Sequence, residues 1–125
     1  MDSNIYLYAI GTLFLLLYIK KKFDARGIAN YSASEAKEKI KSGSMMLDVR
    51  TSEERKRNSI KGSLHIPVHE LSGRMNELEK YKSREIICYC ASGSRSVSAA
   101  SKLKKAGYTV GNLSGGIASW NFSNL

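Results

Sequence analysis

Cysteine is scarce in this sequence: Cys88 and Cys90 are the whole supply in 125 residues. They stand two apart in a run that reads as a strand, where a mutual disulfide would be badly strained, so a disulfide scaffold is excluded. Histidine is as scarce, with His65 and His69 only. Pro67, the one proline, falls between them and keeps them off a shared helix face, so they are not expected to join Cys88 in a metal site. No metal and no other cofactor is expected. Acidic residues are in deficit, 11 Asp and Glu against 20 Lys and Arg, which leaves a formal charge of +9. That balance favours anionic partners. Nucleic acid is not the expected one, because there is no Arg-rich helix, no paired zinc ligands and no aromatic RNA-binding signature. A small anionic substrate or an anionic membrane surface would draw on the same field.

Long apolar runs are absent with one exception. Ile5 to Ile19 carries no charge and ends at Lys20-Lys21-Lys22. At ~1.5 Å per residue the run reaches about 22 Å, short of the ~30 Å hydrocarbon core, a gap that snorkelling lysines and local thinning would close. Asp2 precedes the run and the lysines follow it, the reverse of the charge order of a cleaved signal peptide, which stays the competing reading. Residues 1–22 are therefore expected to be a single-pass transmembrane anchor, with the N-terminus outside and the rest in the cytoplasm. Residues 23–30 read as a polar linker containing Gly27, and 31–122 as the one folded domain, for which the length suffices.

Within that domain, Ser32-Ala-Ser-Glu35 has the pattern of a capping box, and a helix to about Lys41 follows, closed by Ser42-Gly43. Met45 to Val49 reads as a buried strand and Ser52 to Arg57 as a helix. Leu64 to Ile66 is a short extended piece ended by Pro67. Leu71, Met75, Leu78 and Tyr81 recur at helical spacing and read as core. Glu85 to Cys90 is a second buried strand, Val97 to Ala106 a helix stopped by Gly107, and Tyr108 to Leu113 a third strand. The alternation predicts an α/β fold with a mainly parallel central sheet flanked by helices, preceded by one N-terminal hydrophobic helix.

In such a sheet ligands lie beyond the carboxyl ends of the strands, and Cys90 sits at such an end. Ala91, Ser92, Gly93 and Ser94 are small enough for the backbone to curl with its N–H groups inward, as an anion nest. A helix beginning near Arg95 adds its positive end, and the guanidinium a fixed charge. Together these favour a thiolate, so Cys90 is the candidate nucleophile. Read alone, Cys-x-x-Gly favours a small-residue turn carrying an inert cysteine.

The surroundings make the loop more specific. Leu47-Asp48-Val49-Arg50, Ile60-Lys61-Gly62 with Ile66-Pro67, and Cys90-x-x-Gly93-x-Arg95-Ser96 followed by Ala99-Ala100, Leu103, Ala106-Gly107-Tyr108, Leu113-x-Gly115-Gly116-Ile117 and Trp120 stand in a family's order and spacing. The chain resembles the rhodanese family. The resemblance implies a sulfurtransferase in which Cys90 carries a persulfide, taking sulfane sulfur from an anionic donor such as thiosulfate and passing it to cyanide, a thiol or a dithiol protein. It implies that the amides of Ala91, Ser92, Gly93, Ser94 and Ser96 cradle the sulfur and that Arg95 helps bind the donor. It also places Arg50 near the pocket and has Asp48 support the loop. Relatives with one more residue between Cys and Arg act on phosphate or arsenate; the four intervening residues here suit sulfur. A catalytically idle binding module with the same fold is the alternative.

The chain departs from the family where an aromatic, a Gly and a His are replaced, in Glu54-Arg55-Lys56-Arg57-Asn58-Ser59-Ile60. Asn58 is expected to take the left-handed backbone in place of Gly. Arg55 to Arg57 read as a solvated basic face or as a surface for an acidic partner or the membrane. Cys88 should share a strand face with Cys90, as a buried structural thiol or a resolving one.

Overall fold

Apolar residues on both sides of a strand require helices on both faces of its sheet, and Ile86, Ile87, Cys88 and Tyr89 are all buried. They form the middle strand of the computed structural model, which describes residues 3–24 and 27–124. The strands are β1 (Ala29–Tyr31), β2 (Met45–Asp48), β3 (Leu64–His65), β4 (Ile86–Tyr89) and β5 (Val110–Leu113). They lie in the order β1-β5-β4-β2-β3, and every pairing is parallel. The helices are α1 (Asn4–Asp24), α2 (Ala33–Lys41), α3 (Ser52–Arg57), α4 (Leu71–Arg74), α5 (Ser94–Lys105) and α6 (Gly116–Ser123), with 3₁₀ turns at Val68–Glu70 and Met75–Tyr81.

Alternation along the strands divides the core in two. Leu47, Ile86, Cys88 and Cys90 pack with Leu71 and Leu78 and with Ala99, Ala100 and Leu103 of α5. Met46, Ile87, Tyr89 and Leu113 pack with Ala36 of α2 and Ile117 of α6. The α/β architecture with a parallel sheet between helices is thus as the sequence leads one to expect. The Ser32–Glu35 capping box is present, the Glu35 amide donating to Ser32 Oγ at 3.2 Å and the Ser32 amide to Glu35 Oε1 at 3.1 Å.

Four expectations need correction. The helix expected over Leu71 to Tyr81 gives way to 3₁₀ backbone after Arg74. Met75, Leu78 and Tyr81 recur every three residues, the period of a 3₁₀ helix, and so stay on one side. The last two residues of the expected linker, Ala29 and Asn30, join Tyr31 in β1, which has no apolar run and is ordered by pairing with Gly111, Asn112 and Leu113. Asn58 is extended (φ −162°), because its side chain and carbonyl both face Arg50; the left-handed residue of that turn is Gly62 (φ +83°).

The fourth correction concerns the anchor. Among the described residues no helix is long and apolar enough to cross a membrane. Helix α1 has 21 residues, but its last turns carry Lys20, Lys21 and Lys22, so the apolar part stays at the fifteen residues of Ile5–Ile19. Its large apolar side chains, Leu7, Phe14 and Leu17 among them, are more than half exposed. Asp2, invoked for orientation, and residues 25–26 of the expected linker lie outside the described residues.

Candidate active site

The site is built where β4 ends and α5 begins. Cys90 follows Tyr89 directly and is fully buried. Gly93 turns the chain with φ +113°, backbone that an L side chain rarely adopts, and delivers Ser94 as the first residue of α5. This turn aims the Gly93 amide at the sulfur, with N–Sγ 3.0 Å. Ser96, one helical turn on and buried, brings its hydroxyl to 3.4 Å from Sγ.

Helix α6 fixes the same loop from behind. The Ile117 amide donates to the Cys90 carbonyl at 2.9 Å and the Ala118 amide to the Ala91 carbonyl at 3.5 Å. Carbonyls held on that side leave the amide hydrogens free to face the sulfur. The approach is so close that a Cβ on Gly116 would collide with the carbonyl oxygens of Cys90 and Ala91. Gly115 and Gly116 therefore do more than start the helix that carries Trp120.

Burial alone pushes the Cys90 thiol up; the Ser96 hydroxyl and the amides of Ser96, Gly93 and Ser92 together outweigh it and hold the thiol below its ordinary range. Cys88 lies on the same strand face, in the same half of the core, without such donors. Burial and the neighbouring Cys90 push it up to about 12. The Cys90 thiol is thus made easier to ionise and the Cys88 thiol harder.

Arg95 does not stand free beside the sulfur. Its two terminal nitrogens grip the carboxylate of Glu54 on α3 at 2.7 and 2.9 Å. The Arg95 guanidinium, helped by the Thr51 cap, brings Glu54 down to about 2. Thr51 and Glu54 form a second capping box that anchors the start of α3.

Arg50 is buried and binds Asp48 and Asn58. Its Nε and Nη2 meet the two Asp48 oxygens at 3.0 Å each, and its Nη1 donates to Asn58 Oδ1 at 2.9 Å. Asp48, fully buried, also receives Tyr89 Oη at 3.0 Å and Arg55 Nη1 at 3.3 Å. Asp48 thereby ties the end of β2 to β4 and to α3. Arg55, read from sequence as part of a solvated basic face, instead reaches inward to Ser63, at 2.6 Å from its hydroxyl and 2.8 Å from its carbonyl. Ala91 is half-buried, and Ser92 and Ser94 are exposed at the mouth of the loop.

Three participants escaped the sequence reading: Glu54, Asn112 and Asn30. Asn112 is a buried polar residue in a strand, itself a signal that a partner must exist. It accepts from Ser96 Oγ at 2.5 Å and donates to Asn30 Oδ1 at 2.9 Å. Among the described residues no group of His, Cys, Asp and Glu is arranged to hold a metal ion.

Residues 32–123 match the family of rhodanese-like domains. The chain belongs to that family. A sulfurtransferase of Allochromatium vinosum is 39% identical over 77 residues, 61% of this chain and 70% of that protein. A putative sulfur carrier protein of Bacillus subtilis, YrkF, is 38% identical over 100 residues, 78% of this chain and 53% of that one, so this chain spans about half its length. A rhodanese-related protein of Thermoplasma volcanium has the same fold in its crystal structure, with a TM-score of 0.70 and 33% identity over 76% of this chain and 92% of that one. In this rhodanese-like chain the cysteine stands at the end of the middle strand, with four residues between it and Arg95.

Proposed function

We propose that this protein is a sulfurtransferase that moves sulfane sulfur from a small anionic donor, thiosulfate being the simplest, to a thiophilic acceptor through a Cys90 persulfide. The observation that carries this reading is the Gly93 amide, 3.0 Å from Sγ in a loop whose other amides face the same way. In the first step the thiolate attacks the outer sulfur of thiosulfate. A new S–S bond forms, the old one breaks, and sulfite leaves with the electron pair. The negative charge then resides on the terminal persulfide sulfur, within the amide nest. In the second step a thiolate or cyanide takes that sulfur and Cys90 leaves as thiolate. The names of relatives as sulfurtransferases support the reaction class, and one named a putative sulfur carrier protein supports a protein thiol as acceptor.

The test incubates the full chain in mild detergent with thiosulfate and weighs it by mass spectrometry. One added sulfur is expected, lost on addition of a thiol and absent in Cys90→Ser. No uptake from thiosulfate, polysulfide or a low-molecular-weight persulfide would sink the proposal.

We further propose that α1 associates with the anionic cytoplasmic leaflet of a membrane through its apolar surface, without crossing it. Its exposed apolar residues need cover, and Lys20–Lys22 complement the anionic headgroups of that leaflet. Flotation with vesicles of phosphatidylglycerol checks this: binding should fall as salt rises, and a chain that stays at the bottom at every salt overturns it.

A further inference from the structure

The sulfur of Cys90 has a competitor. Ser96 carries one hydroxyl proton, and that proton has two acceptors within reach, Cys90 Sγ at 3.4 Å and Asn112 Oδ1 at 2.5 Å. The Asn112 amide is oriented by Asn30: its Nδ2 donates to Asn30 Oδ1 at 2.9 Å, across the pairing of β5 with β1, which turns the oxygen toward Ser96. In this arrangement Ser96 gives its proton to Asn112 and presents a lone pair to the sulfur, so a thiol S–H on Cys90 is accommodated. A free thiolate there needs the Ser96 proton for itself, and Asn112, nearly fully buried, then loses its donor.

We propose that Asn112 is a positioning residue for Cys90: it competes with the sulfur for the single Ser96 proton and so favours the states in which Sγ is uncharged, thiol and persulfide, over the free thiolate. In the persulfide the charge sits one bond further out, among the loop amides, and the Ser96 proton returns to Asn112. The pair Ser96–Asn112 therefore follows the charge on Sγ without giving up a proton. The persulfide half of this statement rests on the sulfurtransferase reading; the thiol–thiolate half does not.

Ionisable side chains near Cys90 each have a partner or a buried place of their own. Cys88 on β4 stays a thiol, pushed up to about 12. Arg95 on α5 is cationic and paired with Glu54 of α3, which is down at about 2. Asp48 at the end of β2 is held below the usual carboxylate range: burial opposes this, and the Arg50 hydrogen bonds overcome it. His65 bonds the Arg50 carbonyl at 2.8 Å. A change in the titration of Cys90 on altering Asn112 thus belongs to the Ser96 proton.

The experiment measures the rate at which iodoacetamide alkylates Cys90 in the full chain from about pH 5 to about pH 9, with peptide mapping to separate Cys88. Asn112→Ala should move the midpoint to lower pH and raise Cys90 alkylation below the midpoint about three- to tenfold, the size of one neutral hydrogen bond. Asn112→Asp keeps an acceptor and should move the midpoint up. Ser96→Ala should also raise it, and adding Asn112→Ala to that background should change nothing. A midpoint unchanged or raised by Asn112→Ala, or an equal shift without Ser96, overturns the proposal. Unfolding would show itself as alkylation of Cys88; Asn112→Asp then decides, and a midpoint below the parent's overturns it. Sulfur uptake measured on the same samples separates the two readings. Alkylation shifts without uptake strike the sulfurtransferase proposal and with it the persulfide half of this one, and uptake without the shifts strikes Asn112 alone.

Discussion

Arg95 holds Glu54 across 41 residues of sequence in a two-pronged ion pair, and this pair joins the sulfur loop to the start of α3. Breaking it from either side should have opposite consequences. Arg95→Met leaves a carboxylate unpaired beside the loop, and the KM for thiosulfate should rise more than about tenfold, as removal of one member of a partly desolvated pair implies. Glu54→Gln in the same chain should recover much of that loss. Steady-state kinetics of the two single variants and the double variant check this, and additive effects would count against the pair.

The same pair has a pH signature. Glu54 is down from 4.5 to about 2, so the stability it contributes is full above the ordinary glutamate value and is lost as pH falls toward about 2. Arg95 and Glu54 are both partly exposed, so solvent screening limits the gain to about 1 kcal/mol. Urea unfolding of parent and Glu54→Gln should differ by that amount at neutral pH and converge on acidification through that window.

Asp48 neutralises a buried cation. Asp48→Ala would leave the Arg50 guanidinium buried with Asn58 as its remaining partner, and should cost about 3–5 kcal/mol in a denaturant titration. Asp48→Asn, which keeps the shape and some of the bonds, should cost less. Equal losses in the two variants would show that charge is not the cause.

Gly116→Ala should be more damaging than its size suggests. The new methyl meets two carbonyl oxygens and the residue sits at φ +61°, so α6 must retreat from the loop. A loss of about 2 kcal/mol or more is expected, with the Cys90 alkylation midpoint raised as its amides loosen. Crystallography or amide exchange at Ile117 would report the retreat directly.

Cys88→Ala should keep sulfur loading intact, since that thiol remains protonated until about 12. The cavity it leaves should cost about 1 kcal/mol. Loss of sulfur uptake in this variant would assign Cys88 a part in transfer.

Local patterns were the legible ones. The Ser32 capping box, the apolar run at β4 and the small residues after Cys90 each carry their meaning within a few positions, and from them the parallel sheet and the sulfur loop followed. What stayed hidden depends on contacts between distant segments. Ala29-Asn30-Tyr31 has no strand signal without Gly111 to Leu113 beside it. Nothing near Arg95 announces Glu54, and Arg55 looks like surface until Ser63 and Asp48 are seen beside it. Asn58 shows the converse: its side chain suits left-handed backbone, but Arg50 holds it extended. The apolar N-terminal run was legible as a helix, but its length was too little for the span expected of it.

The edge strands β1 and β3 have only three and two residues. Strands so short offer an incoming chain little unpaired backbone to extend, and they protect the sheet from cross-β growth. Unwanted self-association of this protein should then begin at α1, whose apolar side chains are exposed along its length. Detergent that coats this helix should keep the protein dispersed, while agents that target β-aggregation should have little effect.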